Sequence, residues 1–199
     1  MVMMDAKIMS DALTRALNDL AAGRPVILTG ARDGGPVMVQ AAGAVDDTWV
    51  NFMAREARGL LGMAITPRRA SALGLSLQPR RNVGRPVPLY TLSIEAAVGC
   101  TTGISAGERA TTVAAAAVTP ARPEAVVTPG HIFPQVSEIG TGGQAEGALD
   151  LLRRAGVMPV AMICSMLDFE GRDADDLHAC TVAATLDLAI VDMGELGLV

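Results

Sequence analysis

YTLSIEAAVGCTTGISAGERATTVAAAA, residues 90–117, is the stretch on which the reading of this chain turns. Tyr90 to Ile94 reads as an apolar strand, and Gly99 to Gly103 as a tight loop holding Cys100, Thr101 and Thr102 between two glycines. Ser105 and Glu108 then form an S-x-x-E capping box, the local signal that opens a helix. A Gly-rich turn that feeds a helix N-terminus gathers unpaired backbone N–H groups, and an anion can sit there. A plain strand-to-helix joint has the same sequence signature, so the pattern alone does not choose between the two.

Composition narrows the setting. The chain has 199 residues, of which 50% are apolar and 19% charged, enough to bury a substantial core within one domain spanning 1–199. Aromatic residues make up 3%, so the core is assembled from Ala, Val, Leu, Ile and Met, which suits helices packed on a sheet. Net charge is −5 and Lys7 is the only lysine, which argues against a nucleic-acid surface. Arg68–Arg69 and Arg80–Arg81 read as solvated faces rather than a basic patch. Cys100, Cys164 and Cys180 are odd in number and share no metal-type spacing, so neither a disulfide framework nor a zinc site is expected. The N-terminal segment lacks the apolar run of a signal peptide, and Val157–Cys164 is too short to span a bilayer. The expectation is a cytoplasmic protein with no membrane and no nucleic-acid partner.

Along the chain, Ser10 reads as the N-cap of a helix that stops at Gly23, and Pro25–Leu28 as a short strand. Thr29–Pro36 (TGARDGGP) is a loop or hairpin turn before a second strand, Val37–Ala42. Asp47 caps a helix through Ala57, Leu60–Ile65 is apolar strand, and Thr66-Pro67 starts another helix. Leu77–Pro88 is an extended surface loop. Thr119–Pro134 is proline-rich, with Val126–Val127 its only strand-like core. A helix over Gln144–Ala155, a buried strand over Val160–Cys164, a helix over Asp173–Thr185 and a strand over Leu188–Val191 complete the pattern. The fold class is α/β (α+β), a single layered domain with a mixed sheet.

Three motifs together resemble one family. IEAAVGCTTGISAGERATTV (94–113), PGHIFP (129–134) and GGQAEGALDL (142–151) follow the order and spacing of 3,4-dihydroxy-2-butanone 4-phosphate synthase, the riboflavin-pathway enzyme that acts on ribulose 5-phosphate. The resemblance implies a homodimer with active sites at the subunit interface, a sugar-phosphate substrate and Mg²⁺. It also implies an enolisation and rearrangement that expels formate, with the cation stabilising an enediolate while acid/base groups move protons.

The departures from that family fall where its chemistry lies. Its members carry an acidic D-x-E-D-R-E-N-E-G-D run after the first strand, where this chain has the shorter Thr29–Pro36, with Arg32 and Asp33 as remnants. In the family's R-G-G-H-T-E motif, Arg and Thr hold substrate and His binds metal; here Thr141, Gln144 and Ala145 stand at those positions, and Glu146 remains. Ser165 replaces the catalytic Glu after the late-strand Cys. Gln offers a carbonyl oxygen but no imidazole lone pair, Thr for Arg removes a fixed cation, and Ser for Glu removes a titratable group. The candidate catalytic residues are therefore His131 and Asp33. The candidate substrate-binding residues are Arg32, Thr101, Thr102, Arg109, Thr112, Gln144 and Glu146. No metal ligand is assigned, because the residues that hold Mg²⁺ in the family are missing.

Each candidate has a structural alternative. His131 sits in a rigid Pro/Gly loop where a structural hydrogen bond serves as well. Arg109 suits a helix-surface ion pair, and Thr111–Thr112 suit close packing against a second subunit. Glu146 near a helix start suits the positive end of the dipole. The expected protein is a dimeric, non-catalytic binding or regulatory paralogue with a degenerate site. The alternatives are a divergent enzyme on a related small phosphorylated or hydroxylated compound, and a working synthase with rewired ligands.

Overall fold

The computed structural model describes residues 2–81, 84 and 87–198, with side chains from residue 11 onward. In chain order the elements are α1 (Val2–Ala21), β1 (Val26–Thr29), β2 (Val37–Ala41), α2 (Asp47–Glu56), β3 (Arg58–Ile65), α3 (Pro67–Ala72), β4 (Ile94–Ala96), α4 (Ala106–Ala117), β5 (Val126–Val136), α5 (Gln144–Arg154), β6 (Ala161–Met166), α6 (Asp176–Leu186) and β7 (Ile190–Asp192). The strands form one sheet in the order β4-β5-β3-β6-β2-β1-β7. β1 with β7 and β3 with β5 pair parallel, and the other neighbours pair antiparallel. This is the mixed-sheet α/β (α+β) architecture expected from the sequence.

The core lies on both faces of the sheet, and the strands alternate between them. Ile27, Met38, Met63, Met162 and Cys164 point to one face, beneath α2, α4 and α6. Leu28, Val37, Val39, Ala64 and Ile163 point to the other, beneath α1 and α5. A strand covered on both sides must be apolar at nearly every position, which is why β1, β2 and β6 read as continuous apolar runs. α5 is anchored by Leu149, Leu151 and Leu152, all fully buried; each such leucine contributes about 1.5–3 kcal/mol relative to exposure.

Several boundaries differ from expectation. α1 runs through Ser10, so Ser10 is not its N-cap. α2 is capped by Asp46, whose side chain accepts the Trp49 N–H at 2.9 Å, one residue before the expected Asp47. Thr66 and Ser105 cap α3 and α4 as expected. Tyr90 and Thr91 make isolated bridges only, and the regular strand begins at Ile94. α6 starts after its cap Asp175, later than Asp173. Of the expected 77–88 loop, residues 82–83 and 85–86 lie outside the described residues.

The largest correction is β5, an eleven-residue strand where only Val126–Val127 was expected. Its prolines are tolerated for local reasons. Pro129 falls in a bulge, where the β4–β5 register shifts from Glu95 opposite Val127 to Ile94 opposite Ile132. Pro134 donates nothing, yet its carbonyl accepts the Thr91 N–H at 3.0 Å.

Candidate functional site

The β1–β2 loop, the turn before α5 and the end of β6 meet at one end of the central strands. Arg32 N–H donates to the Gly142 carbonyl at 2.9 Å. Gln144 N–H donates to Asp33 Oδ1 at 2.8 Å, and Gln144 Nε2 donates to the Gly35 carbonyl at 2.7 Å. Gln144 is buried, and a Cβ on Gly34 would lie 2.6 Å from its Nε2, so a larger residue at 34 would push the Gln144 carboxamide aside. Glu146 fixes the adjoining turn. Its carboxylate accepts the N–H groups of Gly140 at 2.6 Å, Thr141 at 3.1 Å and Gly142 at 2.9 Å.

Two cavities open beside this clamp and share Asp33. One, of about 330 Å³, is lined by Arg32, Asp33, Arg80, Glu138, Thr141 and Glu146 among others. The other, of about 180 Å³, is lined by Asp33, Tyr90, Gln144, Ser165 and Asp173 among others. Burial raises the Asp33 carboxyl above the ordinary carboxylate range, and the N–H of Gln144 opposes that shift only in part. Burial also raises the Tyr90 phenol, whose oxygen accepts from Gln135 Nε2 at 3.1 Å.

The remaining candidates form a second cluster at the β4 edge. His131 Nδ1 is paired with the carboxylate of Glu95, and His131 is exposed. Gly103, at φ +70°, packs directly against that carboxylate, and any side chain there would collide with it. Thr101 and Thr102 do not form an open anion seat. Glu108 fills it: its carboxylate accepts from Thr101 N–H at 2.5 Å, Thr101 Oγ1 at 2.7 Å, Ser105 Oγ at 3.2 Å and Thr102 Oγ1 at 3.5 Å. These bonds, led by the Thr101 hydroxyl, hold the Glu108 carboxyl down at about 2. Thr112 is fully buried and structural, donating to the Glu108 carbonyl at 2.9 Å and accepting from Ala96 N–H at 3.1 Å. Arg109 is half-buried, and its Nε has no hydrogen-bond partner among the described residues.

The structure therefore brings Arg32, Asp33, Gln144 and Glu146 together and leaves His131, Thr101, Thr102, Arg109 and Thr112 apart from them. His131 lines neither cavity. Sequence reasoning missed Tyr90 and Asp173 as cavity residues, and Glu95 as the partner of His131. Glu95 had a usable signal, as the one charged residue in an otherwise apolar strand. Arg80, read as a solvated face, lines the larger cavity.

The donor set does not fit the Mg²⁺ that the resemblance implies. A hard cation needs several free oxygen ligands. Here the Glu146 carboxylate already accepts three backbone N–H groups, and Gln144 offers at most one neutral carboxamide oxygen, since its nitrogen donates to Gly35. One oxygen of Asp33 is occupied by the Gln144 N–H, and burial makes its charged form costlier than in water. Among the described residues no group of three or more His, Cys, Asp or Glu is arranged to hold a metal ion.

The 3,4-dihydroxy-2-butanone 4-phosphate synthase family model matches residues 14–197. A protein of that name from Desulforapulum autotrophicum is 35% identical over 167 residues, covering 81% of this chain and 77% of its own. The crystal structure of a two-domain 3,4-dihydroxy-2-butanone 4-phosphate synthase, RibBX from A. baumannii, superposes with a TM-score of 0.86 at 34% identity, over 92% of this chain and 56% of that one. A structure of the synthase in complex with two magnesium ions superposes at 0.80 with 27% identity, over 91% and 92% of the two chains. Two further curated relatives, from Pseudomonas aeruginosa and Synechocystis sp., are longer, and the match spans 46% and 35% of them. With nearly its whole length matched in sequence and in fold, the chain belongs to the 3,4-dihydroxy-2-butanone 4-phosphate synthase family.

Proposed function

We propose that this protein is a non-catalytic member of its family, a binding or regulatory paralogue that does not convert ribulose 5-phosphate. The observation that carries the reading is that two carboxylates of the site, Asp33 and Glu146, are already engaged by backbone amides of the α5 turn. Asp33 bonds the backbone of Gln144, Gln144 bonds Gly35, and Glu146 bonds its own turn. Groups already paired with protein atoms offer a cation little in exchange for its hydration shell. Arg32 and Arg80, beside the Asp33 cavity, supply cations for a small phosphorylated or hydroxylated ligand.

The same reading takes the protein to be a cytoplasmic homodimer. Leu92, Val98, Ile104 and Val127 are exposed on and around β4, which ends the sheet, and an apolar edge of that kind favours a second copy. The three cysteines are free, as suits a reducing compartment. No helix among the described residues is long and apolar enough to cross a membrane.

A second reading, a divergent enzyme on a related compound, is favoured by the raised pKa of Asp33 in a cavity with Tyr90, an environment that suits an acid/base group. One pair of measurements separates the readings: calorimetric titration of ribulose 5-phosphate with and without Mg²⁺, beside a formate assay. Binding that ignores Mg²⁺ and releases no formate is the expected result. Mg²⁺-dependent formate release overturns it. Turnover of a related sugar phosphate that is abolished in Asp33→Asn establishes the second reading.

A further inference from the structure

A third cavity, of about 600 Å³, lies away from both clusters, between α3, the segment after α4 and the segment after α5. Arg68, Arg69 and Arg153 line it, and no carboxylate does, in a chain whose net charge is −5. Arg69 forms a fixed floor. Its guanidinium donates to the carbonyls of Ala116 at 2.9 Å and Val118 at 3.0 Å, and contacts Thr119 Oγ1 at 3.3 Å and Met158 Sδ at 3.4 Å. All four acceptors are neutral, so the charge is oriented but not cancelled, and partial burial pulls the Arg69 pKa down. Arg68 and Arg153 are exposed at the rim, and neither takes part in an ion pair among the described residues. Ala121, Met158 and Pro159 supply an apolar wall beside them.

We propose that this cavity is an anion-binding site for a small organic phosphate, separate from the Asp33 site. The two rim guanidinium groups match phosphate oxygens in forked pairs, Arg69 adds its fixed positive charge from the floor while its terminal N–H groups stay on protein acceptors, and the apolar wall takes the body of the ester. The volume lies within the range of small-molecule pockets. The site stands whether or not the Asp33 cavity binds anything.

Phenyl phosphate is the probe, titrated by calorimetry into the full chain, with phenol and inorganic phosphate as comparisons. Phenyl phosphate binds, phenol does not, and inorganic phosphate binds more weakly. Arg68→Gln and Arg153→Gln each weaken binding by about tenfold or more, the scale of a lost charge-assisted pair, while Arg55→Gln, an exposed position on α2 that lines neither this cavity nor the Asp33 cavities, leaves it unchanged. Both rim arginines are exposed, and matching thermal melts show that the variants fold. Failure to bind at millimolar probe, or binding lost in Arg32→Gln and kept in the rim variants, overturns the proposal. Equal affinity for inorganic phosphate overturns the role of the apolar wall.

Discussion

Asp33 Oδ1 accepts the backbone N–H of Gln144 at 2.8 Å, and the two residues stand 111 positions apart in the chain. The bond joins the β1–β2 loop to the first residue of α5 and closes the place where the family resemblance implies a cation. Residues at separate points of the sequence thus act as one unit: Asp33 and Gln144 are joined by this bond, the Gln144 side chain reaches the Gly35 carbonyl, and Gly34 packs against the same side chain. One consequence is direct. Adding about 10 mM MgCl₂ leaves the thermal midpoint unchanged, because a ligand stabilises only the state that binds it. A rise of several degrees shows that the cation binds and the clamp opens for it.

The charge state of Asp33 gives a second prediction. Burial raises its pKa in the folded protein above the ordinary 3.8. The penalty for ionising it is absent below the unfolded pKa and fully present above the folded one. Asp33→Asn keeps an oxygen for Gln144 N–H and removes the charge. Its melting temperature should exceed that of the parent by about 2 °C near neutral pH, with the gap closing below about pH 4. A variant less stable than the parent at neutral pH shows that the Gln144 bond outweighs the burial cost.

Glu146 supports the turn rather than a ligand. Glu146→Ala strips the acceptor from three backbone N–H groups, one of them the buried amide of Gly142. A loss of about 2 kcal/mol or more is expected in denaturant unfolding, since hydrogen bonds to charged groups contribute about 1.5–3 kcal/mol each and the exposed amides recover water. An unfolding midpoint unmoved by the change removes Glu146 from this role.

The sequence carried local features well and long-range pairings poorly. Thr66-Pro67 and Ser105 announce their helices because an N-cap is written within four residues. The apolar runs of β1, β2 and β6 follow from burial on both faces. β5 was hidden by Pro129 and Pro134, whose tolerance depends on a bulge against Glu95 and a carbonyl bond to Thr91, partners distant in sequence. The candidate site was half legible. Gln144 stood out as a departure from a pattern and Asp33 and Glu146 as what remains of it, but that Asp33 pairs with Gln144 and Glu146 with its own turn depends on the fold. Glu108 is the sharpest instance. S-x-x-E predicts a carboxylate turned back to its own cap, and the Gly99–Gly103 loop instead brings Thr101 into its reach.

That bond set makes Glu108 an acid-sensitive tie. Its pKa is held at about 2 against an ordinary 4.5, with the Thr101 hydroxyl as the leading cause. The stabilisation is complete above the unfolded value and disappears as pH falls through the folded one. Glu108→Gln should melt below the parent at about pH 6, and the two curves should converge by about pH 2. A gap that persists at the acid end assigns the effect to shape rather than charge.

Thr112 gives the last prediction. Its hydroxyl is fully buried, donates to the Glu108 carbonyl and accepts from the Ala96 N–H, tying α4 to the edge strand β4. Thr112→Val keeps the shape and removes both bonds, leaving the Ala96 amide without its partner. An unsatisfied buried donor costs about 1–3 kcal/mol, so the midpoint should fall by several degrees. Thr112→Ser retains the hydroxyl and loses only a methyl group, and should recover most of that loss. If valine keeps the parent midpoint and serine falls, packing of the methyl rather than the hydroxyl holds β4 in place. In that case amide exchange at Ala96 stays slow in Thr112→Val; a hydroxyl tie predicts that it quickens in Thr112→Val and remains slow in Thr112→Ser.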